Sequence, residues 1–195
     1  MNKKEAVVIH HTVTPSTWNL DKTVKSINTH HKNRGFPKGG KDLYIGYHYM
    51  IHPNGEVVQT RRDNDIGAHT REKSMNYKAI GVALIGNFNK DKLEGKQYDS
   101  LVNLLKELSE RYKWSRNDLY HHGMFKPTAC PGMALRAKFE GIKDDVFEIG
   151  LNIPEWAEDS VEWTINKELI TDWSEPSRPV NRYELAEILF KYNNL

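Results

Sequence analysis

Cysteine is almost absent: Cys130 stands alone among 195 residues. An intrachain disulfide is thereby excluded, so packing, together with any bound metal, must hold the fold. The lone thiol is left free for chemistry. Neither charge is in excess, since 28 basic residues face 26 acidic ones, and a formal +2 is too balanced to imply nucleic acid as the main partner. Long apolar runs are missing too. No stretch approaches the roughly 20 apolar residues of a membrane span, which leaves no membrane partner. The first apolar run, residues 6–9, is too short for a signal peptide's core. The expectation is a soluble protein made in the cytoplasm without a signal peptide.

With 38% hydrophobic and 28% charged residues, the chain can bury one globular domain and a small appendage. The β-branched run Ala6-Val7-Val8-Ile9 predicts a buried strand that delivers His10 and His11 at its end. Asn19 or Asp21 caps a helix whose apolar stripe is Leu20, Val24 and Ile27, and Gly35 with Pro37 ends it. Residues 47–51 and 56–60 flank Pro53-Asn54-Gly55, which predicts a hairpin. The run 80–85 is nearly continuous apolar sequence, as in a central strand covered on both faces, and its Gly81 predicts close packing there. Tyr98, Leu101, Val102, Leu105, Leu108 and Tyr112 recur at helical steps and form a core-facing stripe.

Strands thus alternate with helices over residues 1–145, which predicts an α/β fold with a mixed central β-sheet flanked by helices. The order of the strands is not readable. After Gly150 the composition changes. Ala157, Val161 and Ile165 make one helical stripe and Leu185, Ile188, Leu189 and Tyr192 another, so residues 151–195 read as a small helical C-terminal appendage.

Two histidine pairs and the cysteine offer zinc chemistry: His10 and His11, then His121 and His122, the last eight residues before Cys130. A catalytic zinc takes three nitrogen or sulfur ligands and keeps a fourth position for water. Adjacent strand residues point to opposite faces, so at most one histidine of each pair faces a shared ion. The spacing matches neither zinc fingers nor a helical HExxH arrangement, and satisfied structural histidines are the competing reading.

Several motifs occur together in one order: His10-His11-Thr12-Val13, Ile45-Gly46-Tyr47-His48-Tyr49 before Gly55, Gly67-Ala68-His69-Thr70, Asn76, the run from Ile80 to Phe88, and Pro127-Thr128-Ala129-Cys130-Pro131-Gly132. Over about residues 5–140 the chain resembles the zinc N-acetylmuramoyl-L-alanine amidases, which include phage amidase-type lysozymes and peptidoglycan recognition proteins. The resemblance implies hydrolysis of the amide between N-acetylmuramic acid and L-alanine in bacterial peptidoglycan. It implies Zn2+ as cofactor, polarising the amide carbonyl and lowering the pKa of its water.

Carried over by position, the ligands are His10, His122 and Cys130, with His11 and His121 as neighbours. Tyr47 becomes a catalytic residue; on its own it reads equally well as a packed strand tyrosine. Some branches carry a glutamate base where this chain has Ala83, and many phage members carry a lysine where it has Thr128, a neutral second catalytic candidate. His69 and Asn76 fall among the substrate-binding positions, although His69 alone could be an exposed loop histidine. Gly123-Met124 replaces an Arg-Asp pair common after the second histidine ligand, removing its support.

The stretch containing Trp156, Trp163 and Trp173 resembles a shortened S-layer homology module, which implies binding of secondary cell-wall polymers, with a packing or dimer element as the alternative. The resulting expectation is a phage or prophage endolysin acting on the wall after release. Competing expectations are a non-catalytic peptidoglycan-binding protein, against which Cys130 speaks, and an intracellular muropeptide amidase, against which the wall-module resemblance speaks.

Overall fold

Two strands made almost wholly of apolar residues form the centre of the sheet. In the computed structural model, which describes residues 4–147, β1 (Ala6–His11) and β4 (Ala79–Leu84) are buried along their whole length. They run parallel, in register from Ala6 with Ala79 to His11 with Leu84. Parallel strands are covered on both faces by helices, which is why neither alternates polar with apolar residues. β2 (Tyr49–Ile51) pairs with β4, β5 (Leu119–His121) pairs with β1, and β3 (Val57–Gln59) closes the edge as the antiparallel arm of the hairpin. The five-stranded sheet thus has the order β3-β2-β4-β1-β5. The architecture is the expected mixed sheet flanked by helices.

Two of the four α-helices among the described residues lie where the apolar spacing predicts. α1 (Leu20–Asn33) is capped by Asn19, whose side chain accepts the Lys22 backbone N–H at 2.9 Å. α2 (Met75–Lys78) is a single turn that leads into β4. α3 (Gly95–Tyr112) and α4 (Met133–Phe147) cover one face of the sheet, where Leu101, Leu105, Leu108, Leu135 and Phe139 pack with Val7, Ile9, Val82 and Leu84. On the other face Ile27 of α1 packs with Met50, Ala83 and Ile85. Truncating one fully buried member, such as Leu105, to alanine costs about 2–5 kcal/mol.

Side chains alternate across each strand, and this decides what reaches the site. Val7 and Ile9 belong to the cluster under α3 and α4, whereas Ala6 and Val8 belong to a cluster on the opposite face. His10, in phase with Ala6 and Val8, therefore emerges on the α1 side, and His11 on the α3 side. In β4, Gly81 and Ala83 share the α1 side, with Ala83 in register with His10.

Two polar clusters fasten the hairpin region. Arg61, 2% exposed, donates from Nε to the Ile45 carbonyl at 2.5 Å, from Nη1 to Ile66 at 3.0 Å and from Nη2 to Pro37 at 2.5 Å, pinning the 37–45 loop. Asp63 accepts from Tyr49 Oη at 2.6 Å, Tyr112 Oη at 2.8 Å, Gln59 Nε2 at 2.9 Å and Arg111 Nη1 at 2.8 Å, joining the hairpin to α3.

The helical pair expected over residues 151–195, and its S-layer-like reading, lie outside the described residues. Among the described residues, no helix is long and apolar enough to cross a membrane.

Candidate metal centre and its cleft

Three chain segments meet at the C-terminal ends of the parallel strands. β1 ends with His10 on the α1 side; β5 ends at His121, and the 3-10 turn His122–Met124 begins with His122. Cys130 lies in the loop before α4. The ligand atoms of His10, His122 and Cys130 all lie within 4.8 Å of one another. His10 Nδ1 is 3.6 Å from Cys130 Sγ, and the His10 and His122 ring centres are 4.7 Å apart. The other member of each pair faces away: His11 Nδ1 accepts the Phe88 N–H at 3.2 Å, and His121 packs edge-on against Phe139 at 4.8 Å.

The donor set fits zinc. Burial, with the charges of His69 and His122 adding to it, holds His10 well below the ordinary histidine range. Burial also lowers His122, with Lys126 contributing. Neutral imidazoles are the ligand form. Burial pushes the Cys130 thiol up to about 11, so its thiolate forms only against a compensating cation. The 3.6 Å separation of His10 Nδ1 and Cys130 Sγ is about the edge of a tetrahedron with bonds of roughly 2.0–2.3 Å. Two nitrogens and one sulfur leave a fourth corner open, as catalytic sites require.

These residues line a cleft of about 970 Å³ together with Tyr47, His69, Asn76 and Thr128. The Tyr47 ring centre lies 5.2 Å from that of His10, and burial pushes the phenol well above its usual range, so it stays protonated and able to donate. His69 Nδ1 is 3.1 Å from His10 Nε2. The ring rests on two glycines: a Cβ at Gly67 or Gly81 would come within 2.5 or 2.6 Å of His69 Cδ2. Its Nε2 is sealed from solvent and has no hydrogen-bond partner among the described residues. Asn76 Oδ1 accepts the backbone N–H of His69 and of Thr70, both at 2.7 Å. Thr128 Oγ1 accepts the Cys130 N–H at 3.3 Å. Thus His69 and Asn76, expected at the substrate, line the cleft and also hold the backbone and ring behind His10.

Three residues at the site escaped the sequence reading. Arg136, from the first turn of α4, donates through Nη2 to the Thr128 carbonyl and, at 3.0 Å, to that of Cys130. A Cβ at Gly123 would sit 2.4 Å from that nitrogen, so the glycine that replaces the arginine of relatives makes room for a guanidinium arriving from a helix. Lys126, on the cleft wall, pairs with Glu72 through Nζ and Oε1 at 3.2 Å. No local pattern marks any of the three: Glu72 and Lys126 meet from segments distant in sequence, and Arg136 turns back from α4 onto the loop just before it.

The sequence model of the N-acetylmuramoyl-L-alanine amidase family matches residues 1–133. The endolysin of Enterobacteria phage T3 is 31% identical over 141 residues, covering 70% of this chain and 85% of that protein. Peptidoglycan-recognition protein SC1a of Drosophila melanogaster is 30% identical over 139 residues, covering 69% and 71%. Among solved structures, the N-acetylmuramoyl-L-alanine amidase LysC from Clostridium intestinale superposes with a TM-score of 0.63 at 32% identity, covering 74% of this chain and 86% of that one. The fold, the motif order and these likenesses agree: the chain belongs to the N-acetylmuramoyl-L-alanine amidase family.

Proposed function

We propose that the chain is a zinc-dependent amidase that hydrolyses the bond between N-acetylmuramic acid and L-alanine in bacterial peptidoglycan, as an endolysin. The observation that carries this reading is the meeting of His10, His122 and Cys130 within 4.8 Å on the wall of a large cleft. Zinc, when bound, supplies Lewis acidity toward a carbonyl oxygen and a water of lowered pKa.

The chain's own groups supply orientation and hydrogen bonds. His69 engages His10 Nε2, which leaves Nδ1, the nitrogen near Cys130 Sγ, as the ligand atom. Arg136 holds the cysteine loop by two carbonyls. Tyr47 keeps its proton and donates toward the attacking water or the oxyanion that develops on the carbonyl. Ala83, a buried methyl in register with His10, offers no carboxylate base. Thr128 accepts the Cys130 N–H with a lone pair and keeps its own hydrogen for the cleft, a neutral donor; the nearby positive charge belongs to Lys126.

Binding of secondary wall polymers by residues 151–195 rests on the sequence resemblance alone, since the family match ends at residue 133. A non-catalytic recognition role is disfavoured by the intact ligand set. The test combines metal analysis with the release of free amino groups from purified cell wall. Wild type is expected to carry about one zinc per chain and release amino groups, while Cys130→Ala loses both. Equal activity in the two proteins would remove the basis for this function.

A further inference from the structure

We propose that Glu72 is the positioning carboxylate for His122, holding that ring as a metal ligand through the nitrogen turned away from the ion. The inference rests on the reading of His122 as a ligand given above. A ligating histidine carries its proton on the other ring nitrogen and donates it to a carboxylate, a carbonyl or water, which fixes the ring and strengthens the ligand.

The three ligands differ in such support. His10 has His69 at 3.1 Å, and the Cys130 loop has Arg136. His122 Nε2, by contrast, is sealed from solvent with no hydrogen-bond partner, and so is Glu72 Oε2. One is a nitrogen that needs an acceptor when the ring is bound through Nδ1, and the other is an oxygen that needs a donor. The two groups lie within electrostatic reach of each other. The proposed pair meets directly or through a bridging water.

Two further features aim Glu72 inward. Lys126, from the loop between His122 and Cys130, takes Oε1 at 3.2 Å and leaves Oε2 for the interior. Glu72 also opens the 3-10 turn Glu72–Ser74, in which Lys73 and Ser74 both have positive φ, +50° and +60°. Consecutive non-glycine residues in the left-handed region are strained and persist where the surroundings over-determine them. Here the strained turn fixes the backbone from which the Glu72 side chain reaches Lys126, itself on the wall of the metal cleft.

The test uses the full chain freed of metal by chelation and titrated with Co(II), with affinity measured against a chromophoric chelator. Wild type, Glu72→Ala, Glu72→Gln, Glu72→Asp and His122→Ala are compared, and thermal melting of each metal-free form checks the fold. Glu72→Ala is expected to bind Co(II) about 10–100-fold more weakly, with an altered visible spectrum and an unchanged metal-free melting temperature. Glu72→Asp recovers part of the affinity, and Glu72→Gln, which keeps an acceptor oxygen but not the charge, falls between. Should Glu72→Ala fail to fold, the Gln and Asp variants decide. Wild-type affinity and spectrum in the Glu72 variants overturn the proposal, as does a fall in turnover at unchanged affinity, which would place Glu72 on the substrate instead. If wild type binds Co(II) no better than His122→Ala, the metal-centre reading itself fails and takes this inference with it.

Discussion

A single methyl group added at Gly81 is expected to unseat His69 and loosen the metal centre. The new Cβ would lie 2.6 Å from His69 Cδ2, 2.7 Å from Cγ and 2.9 Å from Nε2. Carbon atoms in ordinary contact keep roughly 3.5–4.0 Å, so one side must move by on the order of 1 Å. The strand cannot yield easily: β4 is paired on both sides, the Gly81 carbonyl accepts the His48 N–H at 2.8 Å, and the Gly81 N–H donates to His48 Nδ1 at 2.9 Å. The ring moves instead, and its 3.1 Å link to His10 stretches beyond hydrogen-bond length.

Overpacking costs about 1–3 kcal/mol and the lost buried hydrogen bond about 1 kcal/mol more. At roughly 2–4 °C per kcal/mol for a unit of this size, Gly81→Ala should lower the melting temperature of the metal-free protein by about 4–16 °C. It should also weaken Co(II) binding by about tenfold, because His10 loses its orienting partner. The diagnostic measurement is a double-mutant cycle. Truncating His69 removes the clash, so Gly81→Ala with His69→Ala should be less destabilised than the sum of the single variants by about the overpacking term of 1–3 kcal/mol. Strict additivity would refute the account, since it would mean that the methyl and the ring never competed for the same space.

Tyr47→Phe should lower turnover by about 10²-fold or more while leaving metal content and melting temperature near wild type, because only a donor to the reacting groups is lost; unchanged turnover would return Tyr47 to a packing role. Arg61→Ala takes the donor from three carbonyls, of which that of Ile45 is buried, and should cost about 1–3 kcal/mol, read by chemical denaturation, with faster proteolysis in the 37–45 loop. Burial holds both His31 and His48 at about 4, and each accepts a backbone N–H on Nδ1, from Gly46 and Gly81 respectively. The unfolded chain therefore binds protons first as pH falls below about 6.5. Their contribution to stability is complete above that value and is lost on acidification toward about 4, so the metal-free melting temperature should rise from pH 4 to about 6.5 and then level off. A flat profile between pH 7 and 5 would contradict this.

Much of the fold was legible because local chemistry repeats at the period of the element. The apolar run ending at Ile85, the helical stripe from Tyr98 to Tyr112 and the Asn19 cap all became the elements they predicted. The hairpin strands came out shorter than read, three residues each, because the His48 carbonyl accepts the N–H of both Thr60 and Arg61, which ends the regular ladder. The residue types of the candidate site were also legible: two histidine pairs and a cysteine, with motif order supplying the choice within each pair. That alternation lets only one of each pair face an ion was legible as well; which face of β1 opens to the cleft was not, because it is set by packing: Val7 and Ile9 lie under α3 and α4, so His10 emerges on the opposite face.

From the amino-acid order alone came where strands and helices lie, that no disulfide or net charge drives function, and which atoms are offered to a metal. All of these follow from composition and short-range periodicity. Only the tertiary structure decided the strand order β3-β2-β4-β1-β5, the seat of the His69 ring against Gly81, its link to His10 and the pairing of Glu72 with Lys126. Each of these joins segments far apart along the chain, and such pairing is set by register and packing across the whole sheet, which no local window of sequence contains.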